Sequence, residues 1–181
     1  MKRKIKDIPR RELSIIAKEY AMTPNSKSGE HFSEKYRISV STFYKILHKA
    51  VLESMVTEDE AKLISKKAAS NAERHGGEGA KIQTLETYNK LIKARKDYRF
   101  EKEEAKKWCK RFIISEYGIG EFCKNYCLEV FILRRALADS IEYSWISDEE
   151  LSMLKEKLPD ENFTKEKLDQ ILERRTMHES E

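Results

Sequence analysis

The most constraining feature of the chain is an internal repeat. Residues 31–68 align without a gap with residues 121–158, a shift of 90 positions in a sequence of 181 residues. The identical pairs include Phe32/Phe122, Tyr36/Tyr126, Val40/Val130, Leu47/Leu137, Ser54/Ser144 and Glu60/Glu150. Ile38/Leu128, Val56/Ile146 and Thr57/Ser147 are conservative pairs. An ungapped match that keeps apolar phase and helix caps in register is hard to obtain by chance, so the sequence predicts an internal duplication.

The composition favours helices. Hydrophobic residues make up 39% of the chain and charged residues 38%, with only six glycines and three prolines. Amphipathic helices with wide solvated faces require such a mixture. The predicted fold is therefore all-α, with two tandem trihelical units and trailing helices joined by a connecting helix.

Hydrophobic spacing and capping residues place the helices of the first copy. A first helix follows Pro9 and has Leu13, Ile16, Ala17 and Tyr20 on one face. A short second helix begins near His31, and Ser39 is positioned to cap a third helix over about 40–55. Thr57 and Glu60 form a capping-box pattern for a fourth helix, which the glycine cluster at 75–79 ends. The segment 76–100 is predicted to be the connecting helix.

Residues 32–47, FSEKYRISVSTFYKIL, have the layout of a short helix, a tight turn and a second helix. This pattern resembles the helix-turn-helix of bacterial and phage regulators and of recombinases. The places before and within the turn are filled by Phe32, Ser33, Glu34, Lys35, Tyr36, Ile38 and Ser39, and those of the next helix by Ser41, Thr42, Phe43, Tyr44, Lys45 and Leu47. The family often has glycine where this chain has Arg37. A positive φ there would cost roughly 1 kcal/mol.

The resemblance implies that the third helix is a recognition helix in the major groove of double-stranded DNA. The candidate base contacts are Val40, Ser41, Thr42, Tyr44, Lys45 and His48. None of them is an arginine, asparagine or glutamine, the residues that make bidentate contacts to a base. The candidate phosphate contacts are Lys2, Arg3, Lys4, Lys6, Arg10, Arg11, Arg37, Ser39 and Lys49, of which the first few form a basic arm able to enter a minor groove. A solubilising tail is the alternative interpretation of that arm.

Charge is polarised along the chain. Residues 1–50 carry 12 basic and 5 acidic side chains, a net charge of +7, whereas residues 121–181 have a net charge of −6. A basic amino-terminal end is typical of a protein that binds a polyanion.

The second copy of the repeat lacks the polar residues that are predicted to contact DNA in the first copy. Glu129 stands at the capping position of Ser39, and Phe131 and Ile132 replace Ser41 and Thr42. Two outward-facing apolar side chains in an acidic segment favour packing or dimerisation over DNA contact. A homodimer is therefore predicted. Arg134 and Arg135 leave open a second DNA contact.

Other classes of protein are disfavoured by what the sequence lacks. Cys123 and Cys127 have no histidine at ligand spacing, and no catalytic arrangement stands out, so no metal, no cofactor and no enzyme activity are predicted. The basic start is not followed by a long apolar run, and about 18 consecutive apolar residues occur nowhere. A cytoplasmic protein without a membrane segment is the expectation.

The predicted organisation has three parts. Residues 1–75 form the DNA-binding unit with its basic arm, 76–100 the connecting helix, and 101–181 the degenerate second unit. The predicted function is a sequence-specific DNA-binding protein that regulates transcription. The alternatives are a DNA-packaging or replication accessory of a phage or mobile element, and a helical adaptor that binds protein.

Overall fold

The computed structural model describes residues 2–24, 28–158 and 170, and confirms the prediction of an all-α fold. The α-helices of the described residues are α1 (Arg10–Met22), α2 (Gly29–Lys35), α3 (Val40–Leu52), α4 (Glu58–Ala94), α5 (Lys102–Ile114), α6 (Ile119–Tyr126), α7 (Val130–Glu142) and α8 (Asp148–Lys157). Two short 3-10 helices span Ile5–Asp7 and Arg95–Asp97. The chain forms two compact units, residues 1–98 and 99–181. Most of the predicted connecting helix thus belongs to the first unit.

Aromatic rings join the first three helices. Tyr20 of α1, Phe32 of α2 and Phe43 of α3 are fully buried, and their ring centroids lie 5.2–5.4 Å apart. Such pairs contribute about 0.5–1.5 kcal/mol each beyond the burial of their area. Ile8 is also buried in this core. The segment that leads into α1 is therefore anchored to the unit.

Helix α4 is a hairpin of two helical halves, 58–76 and 78–94. Gly77 between them has φ 70° and ψ −167°, a conformation that no helix contains and that favours glycine. Just beyond the second half, the Arg95 guanidinium donates to the carbonyl oxygen of Val56 at 2.7 Å, beside the start of the first half. The glycine cluster thus ends a helix as predicted, but the next helix folds back and buries Tyr88 in the first core.

The two units share unusual backbone features at the shift of 90 positions. Arg37 and Cys127 both have positive φ (54° and 52°), and so do Ser54 and Ser144 (53° and 54°). Capping boxes at Thr57 and Ser147 start α4 and α8. The repeated sequence thus adopts the same local geometry at these caps and turns.

A lysine that binds the carbonyl groups of a helix end also recurs at the same shift. Lys67 is 4% exposed, and its ammonium group donates to the carbonyl oxygens of Tyr20 (2.7 Å) and Thr23 at the end of α1. Lys157 donates in the same way to Ile113 (3.4 Å) and Ser115 at the end of α5. Each lysine thus satisfies carbonyl groups that a helix end leaves without an internal partner.

The second unit packs α7 more deeply than the sequence suggested. Ile132 and Leu133 are both fully buried, while Phe131 keeps 38% of its surface exposed. The prediction that Ile132 faces outward is therefore wrong. Helix α7 buries two adjacent rows of side chains, and these rows include Ala136 and Leu137. Its buried face is therefore wide enough to include Ile132.

Candidate nucleic-acid interface

The turn between α2 and α3 is a complete Schellman motif. The amide of Ile38 donates to the carbonyl oxygen of Ser33 at 2.9 Å, and the amide of Arg37 donates to that of Glu34 at 3.1 Å. Arg37 occupies the left-handed position with φ 54°, at the place where the helix-turn-helix pattern often has glycine. Buried Ile38 follows it, so an apolar contact reinforces the turn.

Helix α3 starts at a side-chain cap. The Ser39 hydroxyl accepts a hydrogen bond from the amide of Thr42 at 3.0 Å and lies 2.8 Å from the Thr42 hydroxyl. The predicted cap is therefore confirmed. Both hydroxyls are already hydrogen-bonded within the turn, which limits what each can offer to a base or a phosphate.

Three of the predicted base contacts form an exposed face at the start of α3. Val40, Ser41 and Lys45 are exposed, and Thr42 is half-buried beside them. Ser41 and Lys45 are four residues apart and lie one above the other on the helix surface. This face therefore combines one hydroxyl, one cation and one aliphatic side chain.

Tyr44 and His48 do not share this face. Both are half-buried, and both line a cavity between α3 and α4. The ring of His48 meets the ring of Tyr88 edge-on at 5.1 Å, and burial lowers the pKa of His48. The prediction that these two side chains lie with Lys45 on the outer side is wrong, because the second half of α4 folds back over that side of α3.

Three of the predicted phosphate contacts are bound to carboxylates of the protein itself. Arg3 makes two hydrogen bonds to Glu12, at 2.6 and 2.7 Å, which lower the pKa of that carboxyl group. Arg10 pairs with Glu53 in a buried contact, and Lys49 pairs with Glu53 at 2.8 Å. Their assignment to phosphates is therefore not supported by the structure, since each is held by a carboxylate and the two carboxylates offset two of the three positive charges.

Five basic residues remain on the surface of the first unit as predicted. These exposed residues are Lys2, Lys4, Lys6, Arg11 and Arg37. None of them forms an ion pair with another residue in the part of the chain that the structure describes. They are available to an external anion.

The arm carrying three of these residues is attached to the turn. The amide of Arg3 donates to the carbonyl oxygen of Arg37 at 2.9 Å. Lys2 and Arg37 also line one surface cavity of about 440 Å³, together with Ser33 and Glu34. The basic arm is thus held beside the start of α3 rather than extending freely as a tail.

The equivalent surface of the second unit differs. Glu129 precedes α7 without a side-chain cap, and Phe131 stands at the position of Ser41. The guanidinium of Arg135, which corresponds to Lys45, lies 5.3 Å from the centre of the Phe131 ring. This cation is placed over an aromatic face instead of projecting away from the helix.

Other kinds of site are not evident in the described residues. No group of three or more histidine, cysteine, aspartate or glutamate side chains there is placed to hold a metal ion. Cys109 and Cys123 are buried free thiols, and burial raises their pKa values to about 12 and about 11. None of the described helices combines the length and apolar character needed to cross a membrane.

Comparison of the chain with protein-family models, curated proteins and solved structures finds no match. Its function must be inferred from the residues of the interface.

The structure adds residues that the sequence did not single out. Gly29 at the start of α2 lies against Tyr44, because a Cβ atom there would come within 3.0 Å of the Tyr44 hydroxyl oxygen. Glu53 follows Lys49 by four residues, a helical spacing that signals an ion pair. Glu12, by contrast, lies nine residues from Arg3 along the chain, and no local pattern links them.

Proposed function

We propose that the protein binds double-stranded DNA through α2, the turn and α3, and acts as a sequence-reading transcriptional regulator. The observation that carries the proposal is the exposed face of Val40, Ser41 and Lys45 on a helix that follows a Schellman turn. A recognition helix needs this arrangement, because only its amino-terminal half reaches base edges in the major groove. Lys45 can donate to guanine acceptors, and the Ser41 hydroxyl can donate or accept.

The surrounding charge supports the same proposal. Arg37 lies in the turn, and the bond from Arg3 to its carbonyl oxygen holds Lys2 nearby. These side chains are suited to the phosphates that flank a groove. Because Arg3, Arg10 and Lys49 are paired internally, the number of phosphate contacts is smaller than the basic composition suggests.

The first test is a fluorescence-anisotropy titration of labelled DNA with the full chain over a salt series. DNA binding weakens as salt rises, with a log-log slope near −0.9 for each phosphate contact. An absence of DNA binding even at low salt would instead favour the helical adaptor that binds protein.

Lys45→Ala tests the recognition helix. It should cost about 1–3 kcal/mol on the preferred sequence and alter preference at one or two base pairs. Lys107→Ala is the matched control, since it removes the same charge from an exposed lysine of α5 in the other unit. Equal losses from the two variants would contradict a specific role for α3. Arg134→Ala should also change affinity little.

Genomic fragments separate the two DNA-binding functions. Binding that concentrates on particular fragments supports a regulator, whereas uniform binding supports a DNA-packaging or replication accessory. A single trihelical module buries only about 600–1,000 Å² of its own surface against DNA. The proposal therefore includes a homodimer that binds two half-sites, and the exposed ring of Phe131 is the remaining candidate for its contact.

A further inference from the structure

A cavity of about 450 Å³ lies in the first unit between α3 and the two halves of α4. Small-molecule sites in proteins have volumes of about 300–1,000 Å³. Tyr44 and His48 of α3 form one wall, and residues on both sides of the Gly77 break form the others. His75 and Gln83 are exposed, so the cavity opens to solvent on their side.

The lining combines aromatic rings with uncharged polar groups. Four ring-bearing side chains, Tyr44, His48, His75 and Tyr88, line the cavity, and no lysine, arginine, aspartate or glutamate does. Asn71, Gln83 and Thr84 supply amide and hydroxyl groups. The Thr84 hydroxyl donates to the carbonyl oxygen of Ala80 at 2.8 Å, which leaves its oxygen able to accept a hydrogen bond.

One hydroxyl at this site has no hydrogen-bond partner. Tyr88 is 1% exposed, and its hydroxyl is buried without a partner. The amide of neighbouring Asn71 donates instead to the hydroxyl of Tyr20, at 3.1 Å. Buried polar groups are nearly always satisfied in folded proteins, so an orphan hydroxyl beside a cavity indicates a missing partner.

We propose that this cavity binds an uncharged, flat heteroaromatic molecule of nucleobase or nucleoside size. Flat rings stack on or meet the edges of the tyrosine and histidine rings. The hydrogen-bonding edge of such a molecule pairs with the side chains of Gln83, which is exposed, and Thr84, which is half-buried. The uncharged lining disfavours an ionised ligand, whose charge would be removed from water without a partner.

Such a ligand would restrict the position of α3, the helix that we propose reads DNA. Tyr44 and His48 belong to the same helix as Ser41 and Lys45, so occupancy of the cavity fixes one side of α3 while the other side faces DNA. This consequence rests on the proposed function. The binding site itself does not, because its test uses no DNA.

The experiment is a calorimetric titration of the full chain with adenosine, guanosine, cytidine and uridine. Ala72→Phe fills the cavity from its α4 wall. Ala94→Phe is the matched control, because this exposed alanine of the same helix does not line the cavity. We expect saturable binding of at least one nucleoside, weakened about tenfold or more by Ala72→Phe and unchanged by Ala94→Phe.

A second, smaller change tests the site in case Ala72→Phe does not fold. Thr84→Val keeps the shape of the side chain and removes its hydroxyl, and it should weaken the same nucleoside without loss of helical circular dichroism. The proposal is overturned if none of the four nucleosides binds saturably. It is equally overturned if a folded Ala72→Phe protein binds as tightly as the unmodified chain, since binding would then lie elsewhere.

Discussion

Arg37→Gly should stabilise the first unit and, at the same time, weaken the DNA binding that we propose for it. Arg37 has φ 54°, where a side chain with a Cβ atom costs about 1–2 kcal/mol. Glycine removes this strain but makes the unfolded chain more flexible, at roughly 0.5–1 kcal/mol. The net gain is about 0.5–1 kcal/mol. For a unit of this size that corresponds to a rise in Tm of roughly 3–6 °C, measured by thermal circular dichroism.

Arg37→Lys separates the two effects. It keeps the positive charge and the strained backbone, so its Tm and its affinity for DNA should stay near those of the unmodified chain. Arg37→Gly should reduce the log-log salt slope of DNA binding by about 0.9, the share of one phosphate contact. A glycine variant less stable than the lysine variant would refute the strain argument, and an unchanged slope would remove Arg37 from the proposed DNA interface.

Three further predictions concern burial and exposure. Lys67→Met should cost about 1–3 kcal/mol in urea unfolding, because it removes both hydrogen bonds to the end of α1, whereas Lys66→Met on the exposed neighbouring position should cost little. Burial lowers the pKa of His48, so the stability that neutral His48 contributes is complete above the unfolded pKa of about 6.5 and declines as pH falls below it. In urea unfolding between about pH 7.5 and 5, the free energy of unfolding of His48→Gln should therefore depend less on pH than that of the unmodified chain. Parallel pH profiles of the two proteins would contradict this. Phe131→Glu should reduce self-association in sedimentation while leaving the protomer folded; an unchanged mass would exclude Phe131 from a dimer contact.

Features set by neighbours in sequence were predictable. The Ser39 cap and the Thr57 capping box each depend on a few consecutive residues, and each occurs as predicted. The positive φ of Arg37 is equally local, since it lies where the helix-turn-helix pattern often has glycine. Local hydrogen bonds decide such features, so a short motif carries the information. The repeated sequence has the same local geometry 90 positions later, as the positive φ of Ser54 and Ser144 shows.

Features set by distant contacts were not predictable. Arg10 pairs with Glu53 across 43 positions, and no periodic pattern links the two residues. Tyr44 and His48 are not on the outer side of α3 as predicted, because the second half of α4 packs over them. This packing depends on the direction that the chain takes after Gly77. The width of the buried face of α7, which encloses Ile132, likewise depends on the neighbouring helices.

The hairpin of α4 fixes the spacing of the chain around its break. Gly77 is the single non-helical residue between two helical halves, and a Cβ atom on Gly76 would come within 2.8 Å of Ala80. One residue inserted into the second half, between Gly77 and Tyr88, would rotate the residues after it by about 100° around the helix axis relative to those before it. Tyr88 would then leave the core and the cavity together. Most surface connections tolerate changes in length, whereas the number of residues between Gly77 and Tyr88 sets which face of the second half carries Tyr88.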